Sequence, residues 1–320
     1  MTQIFKSPSS SKYQLSVVIP VYRSQESLHE LYQRLVETLT GLGISFEILF
    51  VEDCGGDNSW GLIQGLAADD ERVQGFRMSR NYGQHNALLA GIRAATGELI
   101  ATLDDDLQHP PEEIPKLLAK IEEGYDVVYG PPEVEQHGFF RDVASQITKL
   151  ALQNAMGAET ARHVSAFRVF RAQLRSAFID YRSPSVNLDV LLTWGSTRFT
   201  VIPVRHEARK YGKSGYTTRK LLGHAMNMLT GFSTMPLKLA SFMGFLFALF
   251  GVFVLAYVLL RYIFVGAGVP GFAFLASIVA LFSGAQLLAL GIIGEYLARM
   301  YQRSMDRPAY LLRETTRPRS

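Results

Sequence analysis

The sequence has little of several features that mark other classes of protein. It contains one cysteine, Cys54, so an intrachain disulfide is excluded and a reducing compartment is favoured. Its formal net charge is only +3 over 320 residues, which does not indicate a nucleic-acid partner. Residues 1–14 lack an apolar core, so we expect an N-terminal tail and no signal peptide. The large first part of the chain is therefore expected in the cytoplasm.

Charge is also missing from two long stretches near the C-terminal end. No Asp, Glu, Lys or Arg occurs over 239–260 or over 262–294, and each stretch is longer than the roughly 20 residues that cross a bilayer core. We predict two transmembrane helices at about 238–262 and 272–298, with buried helices of a soluble core as the alternative. Basic residues precede the first span and follow the second, which places both termini in the cytoplasm by the positive-inside rule.

What is present before these stretches is an alternation of short β-branched runs with segments of helical periodicity. This alternation predicts an α/β domain on a mostly parallel sheet. The predicted strands are 15–21, 46–51, 73–78, 98–103 and 126–130, and the predicted helices are about 26–41, 58–68, 84–96 and 111–123. Beyond residue 130 the pattern weakens. It predicts helices at about 139–156 and 186–195, strands at 165–170 and 198–204, and a loop at 205–216.

Polar residues follow each of the first four predicted strands, at the edge where parallel α/β sheets bind ligands. The fourth strand ends in three adjacent aspartates at 104–106, which repel one another unless a cation neutralises them. Asp104 and Asp106 could face the same way, with Gln108 as a further oxygen ligand. Such hard oxygen ligands suit Mg²⁺ or Mn²⁺, and a solvated acidic loop is the alternative reading.

Four segments resemble the family 2 glycosyltransferases of the GT-A fold. They are VVIPVY (17–22), FEILFVEDCGGDNS (46–59), MSRNYGQHNALLAGIRAATGELIATLDDDLQHPPEEIP (78–115) and HEARKYGKSGY (206–216). With the two spans, the chain is similar to the polyisoprenyl-phosphate glycosyltransferases, among them dolichyl-phosphate mannose synthases, bactoprenol glucosyltransferases and undecaprenyl-phosphate 4-deoxy-4-formamido-L-arabinose transferases. The resemblance implies inverting transfer of a sugar from a nucleotide diphosphate, with UDP favoured, to undecaprenyl phosphate or a similar lipid. It also implies an inner-membrane location and a homo-oligomer.

The resemblance assigns site residues position by position. The nucleotide-sugar residues are Pro20, Tyr22, Glu26, Asp53, Arg80 and Asp105, of which Asp53 could instead cap the next helix and Asp105 could point elsewhere. The metal ligands are Asp104, Asp106 and Gln108. For the acceptor phosphate the resemblance gives Arg168, Arg209 and Ser214, with Arg209 and Ser214 in a loop expected to close over both phosphates. Lys213, part of a glycine-flanked Lys-Ser pair in the same loop, is added as a phosphate residue, and Arg209 and Lys213 could instead be surface charge near anionic lipid.

The chain departs from the related sequences in two places. Where several relatives carry an aspartate near HVSAFRVF (163–170), this chain has Arg162, His163 and Ser165. A polyprenyl phosphate is already anionic, so positioning and electrostatics are the main tasks of the enzyme. If a base is needed, Asp189 is the candidate, and a polar residue on a packing helix is the alternative. Pro131-Pro132 stand where relatives often have a basic residue, which leaves the donor open.

The predicted organisation has five parts. A tail at 1–14 precedes a GT-A domain at 15–216, an amphipathic juxtamembrane helix at 217–234, two transmembrane helices within 235–298, and a cytoplasmic basic tail at 299–320. Two other functions stay open. One is a processive polysaccharide synthase, although these usually have more spans. The other is a non-catalytic scaffold that binds sugar nucleotides, against which the intact acidic motif argues.

Overall fold

The structure is a computed structural model that describes residues 12–133, 163–184, 186–208, 210, 235–265 and 271–317. It divides into two compact units, one formed by residues up to 218 together with 306–320 and the other by 219–305. Several predicted features lie outside the described residues. They are the helix at 139–156, the amphipathic helix at 217–234, and the site residues Arg209, Lys213 and Ser214.

The described part of the first unit contains a sheet of eight strands. The strands are Leu15–Val21 (β1), Phe46–Glu52 (β2), Val73–Met78 (β3), Leu99–Thr102 (β4), Val127–Tyr129 (β5), Arg168–Arg171 (β6), Phe199–Val201 (β7) and Leu312–Thr315 (β8). Their order is β7-β5-β6-β4-β1-β2-β3-β8. β1 pairs in parallel with β2 and β4, and β2 with β3, whereas β6 and β8 are antiparallel to their neighbours. The predicted α/β class with a mostly parallel sheet is confirmed.

Helices cover both faces of this sheet, because its central strands are apolar on both sides. All seven residues of β1 are buried, and they alternate between two cores, with Val18 in one and Val17 and Ile19 in the other. The helices are Leu28–Gly41 (α1), Ser59–Asp69 (α2), Gln84–Ala94 (α3), Ile114–Glu122 (α4) and Leu188–Gly195 (α5). A single turn of 3₁₀ helix, Pro111–Glu113, precedes α4.

The end of the chain differs from the predicted basic tail at 299–320. Residues Leu312–Thr315 form β8, which lies antiparallel to β3 at the edge of the sheet. The Trp60 indole N–H donates to Glu314 Oε2 at 2.9 Å, which fastens β8 to α2. The physical reason is that β3 would otherwise present a row of unpaired backbone groups at the sheet edge. The sequence LRET is too short and too charged to indicate a strand on its own.

The second unit contains two long helices, Met235–Val265 (α6) and Phe272–Ser304 (α7). Within them, Leu237–Arg261 and Leu281–Ser304 are long and apolar enough to cross a membrane. The rings of Phe247 and Phe250 on α6 lie 5.7 and 6.4 Å from the ring of Phe282 on α7. The prediction of two C-terminal helices that could span a membrane is confirmed.

Candidate active site

The carboxyl ends of four strands meet at one edge of the sheet, because β4, β1, β2 and β3 are parallel neighbours in that order. The loops that follow these strands therefore surround a common region, which is where α/β sheets bind ligands. Tyr22, Asp53, Arg80 and Asp104 each lie at or just beyond the end of one of these strands. The topology thus brings together the segments that the sequence pattern singles out.

Asp104, the first of the three aspartates after β4, accepts a hydrogen bond from α3. Gln84, the first residue of that helix, donates from Nε2 to Asp104 Oδ1 at 2.6 Å. Both side chains are half-buried. α3 therefore orients Asp104, and Gln84 is a residue of the site to which neither the motif nor the resemblance assigned a role.

Asp105 turns towards the loop that follows β1. Its Oδ2 accepts hydrogen bonds from the Tyr22 backbone N–H at 2.9 Å and from the Ser24 hydroxyl, and its carbonyl oxygen accepts one from Ser27 Oγ at 2.6 Å. Burial raises the pKa of Asp105 to about 6, against the opposing effect of the Ser24 and Tyr22 donors. Asp105 was expected either to point elsewhere or to touch the donor sugar; in this structure it joins the loop after β4 to the loop after β1, and a contact with the sugar stays a prediction.

Asp106 and Gln108 are joined by a tight turn. The Gln108 backbone N–H donates to Asp106 Oδ1 at 3.1 Å. Leu107 between them has a φ of 61°, a left-handed value that costs a non-glycine residue about 1–2 kcal/mol. Its side chain is only 2% exposed, and this burial offsets the strain. The turn keeps Gln108 next to Asp106.

These oxygens fit a divalent cation by their chemistry. Two half-buried carboxylates and an amide oxygen, at 104, 106 and 108, are hard ligands of the kind that Mg²⁺ and Mn²⁺ take. In the part of the chain that the structure describes, no three His, Cys, Asp or Glu side chains are grouped to hold a metal by themselves.

Asp53, predicted to bind the nucleotide or cap the following helix, holds the loop between β3 and α3. Its Oδ1 accepts the Tyr82 backbone N–H at 2.7 Å and its Oδ2 accepts that of Gly83 at 2.8 Å. The residue is 3% exposed. Burial raises its pKa to about 6, while the two N–H donors oppose the rise. In this structure Asp53 is a clamp on the loop that carries Arg80, and its nucleotide contact stays a prediction.

The remaining residues assigned to the nucleotide-sugar pocket divide into exposed and buried positions. Tyr22 is 46% exposed, and Glu26 and Arg80 are also exposed. The Arg80 guanidinium lies 4.6 Å from the centre of the Tyr82 ring. Pro20, in contrast, is a buried residue inside β1.

Arg168 and Asp189 are buried together near the carboxyl end of β4, where Arg168 pairs with Thr102. Arg168 is 2% exposed and Asp189 6% exposed, and the two form a buried ion pair through Arg168 Nη1 and Asp189 Oδ1. The Tyr129 hydroxyl donates to the same oxygen at 3.0 Å. The ion pair leaves the Arg168 guanidinium with a carboxylate partner, and a carboxylate held by an arginine is a poor base. In this structure the two residues form a buried ion pair, and their roles at the acceptor phosphate and as a base stay predictions.

The first residues of the predicted phosphate loop are fastened to the acidic segment. The Glu207 backbone N–H donates to the Gln108 carbonyl at 2.9 Å, and the Glu207 carboxylate lies 3.1 Å from Arg34 of α1. Lys210 Nζ lies 2.7 Å from Glu30 Oε2. The described residues of the loop at 205–210 thus lie beside the segment that follows the aspartates.

His109 also belongs to this region, although no histidine was assigned chemistry from the sequence. Its ring centre lies 5.2 Å from that of His206 and 5.5 Å from that of Phe167. Burial, and then His206, lowers the pKa of His109 to about 4, so the imidazole is neutral at physiological pH. The pair joins the aspartate segment to the loop that begins at Arg205.

A cavity of about 760 Å³ opens at the opposite ends of the strands, beside the amino end of β4. Its polar lining includes Lys12, Thr96, Glu98, Arg171 and Arg175. Because it lies at the opposite end of β4 from Asp104, it is not the site at which the aspartates converge.

The mostly parallel sheet, with three aspartates at the carboxyl end of β4, defines a GT-A glycosyltransferase domain. Residues 16–182, slightly more than half of the chain, match the family model of glycosyl transferase family 2. The protein therefore belongs to glycosyl transferase family 2. The matched range runs from the second residue of β1 past the end of β6 and includes all three aspartates.

Solved structures with a similar fold are distant in sequence. One is glucosyl-3-phosphoglycerate synthase from Mycobacterium tuberculosis in complex with Mn²⁺, UDP and phosphoglyceric acid, with 13% identity, a TM-score of 0.52, and coverage of 68% of this chain and 77% of that one. Another is S. aureus TarS in complex with UDP-GlcNAc, with 16% identity, a TM-score of 0.45, and coverage of 69% and 74%. At such identities the likeness concerns the fold alone.

Proposed function

We propose that this protein is a membrane-anchored inverting glycosyltransferase. It moves a sugar from a nucleotide diphosphate, with UDP favoured, to undecaprenyl phosphate or a similar polyprenyl phosphate at the cytoplasmic face of the inner (plasma) membrane. The observation that carries the proposal is that one chain joins a glycosyl transferase family 2 domain to two helices apolar enough to cross a bilayer. Such a chain can hold a water-soluble donor site next to a lipid acceptor.

The path of the chain supports the proposed topology. The chain leaves the first unit at residue 218 and returns to it at residue 306, where it goes on to form β8 in the same sheet. If both helices cross the membrane, the start of α6 and the end of α7 must therefore lie on the same side of it as the first unit. The basic residues that flank the two spans favour the cytoplasm for that side.

The proposed class of donor, a nucleotide diphosphate sugar, is supported by the metal-ligand candidates after β4 and by analogy with an enzyme of similar fold. Asp104, Asp106 and Gln108 would hold Mg²⁺ or Mn²⁺, and the M. tuberculosis enzyme of similar fold binds Mn²⁺ together with UDP. When bound, such a cation stabilises negative charge on the departing nucleotide diphosphate. Tyr22 and Arg80 offer an exposed ring and an exposed guanidinium at the ends of β1 and β3, the two strands on either side of β2, for the nucleotide and its phosphates.

The acceptor chemistry needs no strong base. A phosphate monoester is anionic at neutral pH and can attack the anomeric carbon directly, so the protein has mainly to position it. The burial of Asp189 against Arg168 is compatible with such a mechanism. Arg209, Lys213 and Ser214 are the residues we propose for the two phosphates, and we propose a homo-oligomer as the assembled form.

The test uses the full-length protein in lipid with undecaprenyl phosphate, Mg²⁺ or Mn²⁺, and a panel of radiolabelled UDP-, GDP- and dTDP-sugars. We expect label in an organic-extractable lipid product with at least one donor. Asp106→Ala should abolish transfer without unfolding the protein, whereas Asp69→Ala, an exposed aspartate at the end of α2, should not. Full activity of Asp106→Ala would contradict the mechanism. Label only in polymer would favour a synthase, and nucleotide binding without any product would favour a scaffold.

A further inference from the structure

The backbone of Gln84, in the first turn of α3, is held in place by the residues before it. The preceding Gly83 has a φ of 93°, a value that favours glycine. Asp53 accepts the backbone N–H groups of Tyr82 and Gly83 at 2.7 and 2.8 Å and is itself 3% exposed. A buried carboxylate therefore fixes the chain from which the Gln84 side chain projects.

The Gln84 side chain contacts one oxygen of one aspartate. Its Nε2 lies 2.6 Å from Asp104 Oδ1, and the two residues are 20 positions apart in sequence, on α3 and after β4. A carboxylate has two oxygens with about four lone-pair directions, so one hydrogen bond fixes its rotation and still leaves capacity for other ligands. Gln84 can thus orient Asp104 without occupying it.

An amide has the right charge for this role. A lysine or arginine here would also donate to Asp104, but its positive charge would weaken the attraction of the carboxylate for a cation. A glutamate would have no donor when ionised. Glutamine is a neutral donor that keeps the full negative charge of Asp104. A residue in the first turn of a helix that only faced solvent would not need a neutral hydrogen-bond donor.

We propose that Gln84 is a positioning residue that orients Asp104 for a divalent cation bound together with the nucleotide. The inference rests on the proposed function. Partners that orient metal-ligating groups typically account for a 10- to 100-fold difference in metal affinity or activity. Gln84 orients Asp104 through its hydrogen bond, and Asp53 fixes the backbone next to Gln84 by accepting the N–H groups of Tyr82 and Gly83.

The experiment measures Mn²⁺ binding to the full-length protein in nanodiscs with saturating UDP, from the electron paramagnetic resonance signal of free Mn²⁺. Gln84→Leu keeps the bulk and removes the donor, so we expect a Kd for Mn²⁺ raised about 10- to 100-fold, with kcat recovered at saturating Mn²⁺. Gln84→Asn, one methylene shorter, should fall between. The control is Gln64→Leu, an exposed glutamine of α2, which should bind Mn²⁺ as the wild type does.

The outcomes separate this inference from the proposed function. Wild-type Mn²⁺ affinity in Gln84→Leu, alongside a wild-type enzyme that makes the lipid product and an inactive Asp106→Ala, would overturn the role of Gln84 alone. A loss confined to thermal stability would also overturn it. If the wild type binds no Mn²⁺ with UDP but makes the lipid product, the inference about Gln84 fails and the proposed function stands; if it also makes no product with any donor, both fail. Gln84→Ala, which suits a helical first turn, repeats the test if the leucine variant does not fold.

Discussion

The buried ion pair of Arg168 and Asp189 allows a structural role to be separated from a chemical one. Replacing Asp189 with leucine would leave the Arg168 guanidinium, 2% exposed, without its carboxylate partner in the core. The Tyr129 hydroxyl, which donates to the same carboxylate oxygen at 3.0 Å, would lose its acceptor. Replacing both charged residues, as Arg168→Met with Asp189→Leu, removes the pair and leaves no buried charge behind.

The expected magnitudes differ strongly between these variants. Breaking a buried ion pair by removing one partner costs about 3–5 kcal/mol, whereas replacing both partners with apolar residues is often neutral or stabilising. For a domain of 150–250 residues, each 1 kcal/mol lowers the Tm by about 2–4 °C. We therefore expect Asp189→Leu to lower the Tm of the catalytic domain by about 10 °C, and the double variant to recover most of that loss.

The assay combines thermal unfolding of the full-length protein with transfer of sugar to the lipid acceptor. If the pair is structural, the double variant unfolds near the wild-type temperature and still makes product. A double variant that is stable but inactive would refute this reasoning, because it would show that Asp189 or Arg168 acts on the substrates. Single variants as stable as the wild type would refute the ion pair itself.

Three further predictions concern the loops and the edge of the sheet. Burial raises the pKa of Asp53 from 3.8 to about 6, so the folded state binds the Asp53 proton more tightly than the unfolded state does. The protonated carboxyl therefore adds about 3 kcal/mol to the free energy of unfolding at low pH, and this stabilisation should be lost as the pH rises from about 4 to about 6. Urea unfolding at several pH values should show this loss in the wild type and not in Asp53→Asn. Ser24→Ala removes a hydroxyl donor to a carboxylate and should cost about 2 kcal/mol of unfolding free energy, while Ser176→Ala, at an exposed site, should not. Glu314→Ala removes the acceptor for the Trp60 indole and should speed amide exchange along β3 and β8; unchanged exchange would contradict this role for Glu314.

The strands of the first half could be predicted closely because their sequence signal is local. β1 and β3 have the bounds 15–21 and 73–78 that their β-branched runs indicate, and β4 lies within the predicted run at 98–103. Buried parallel strands are apolar on both faces, so a continuous run identifies them without knowledge of their neighbours. Convergence of their carboxyl ends follows from the parallel arrangement alone.

The partners of the aspartates could not be predicted in the same way. Asp104 is held from α3, 20 positions earlier, and Asp105 from the loop after β1, 81 positions earlier. Gln84 and Ser24 carry no chemistry of their own, so they stand out only when the fold brings them to a carboxylate. The burial of Arg168 was missed for a related reason, because a charged residue in a sequence indicates exposure until its partner is known.

The position of β8 changes what counts as the catalytic domain. A sequence that ends in two apolar helices and a short basic segment suggests a finished domain followed by an anchor. In the structure, the last strand of the sheet comes after the helices, and it covers the edge of β3 with backbone pairing and with the contact between Glu314 and Trp60. An exposed edge strand is a site of aggregation, so a chain cut before α6 would lack part of its own fold. The two long helices α6 and α7 therefore lie between β7 and β8 in the sequence, and the strands before and after them belong to one sheet.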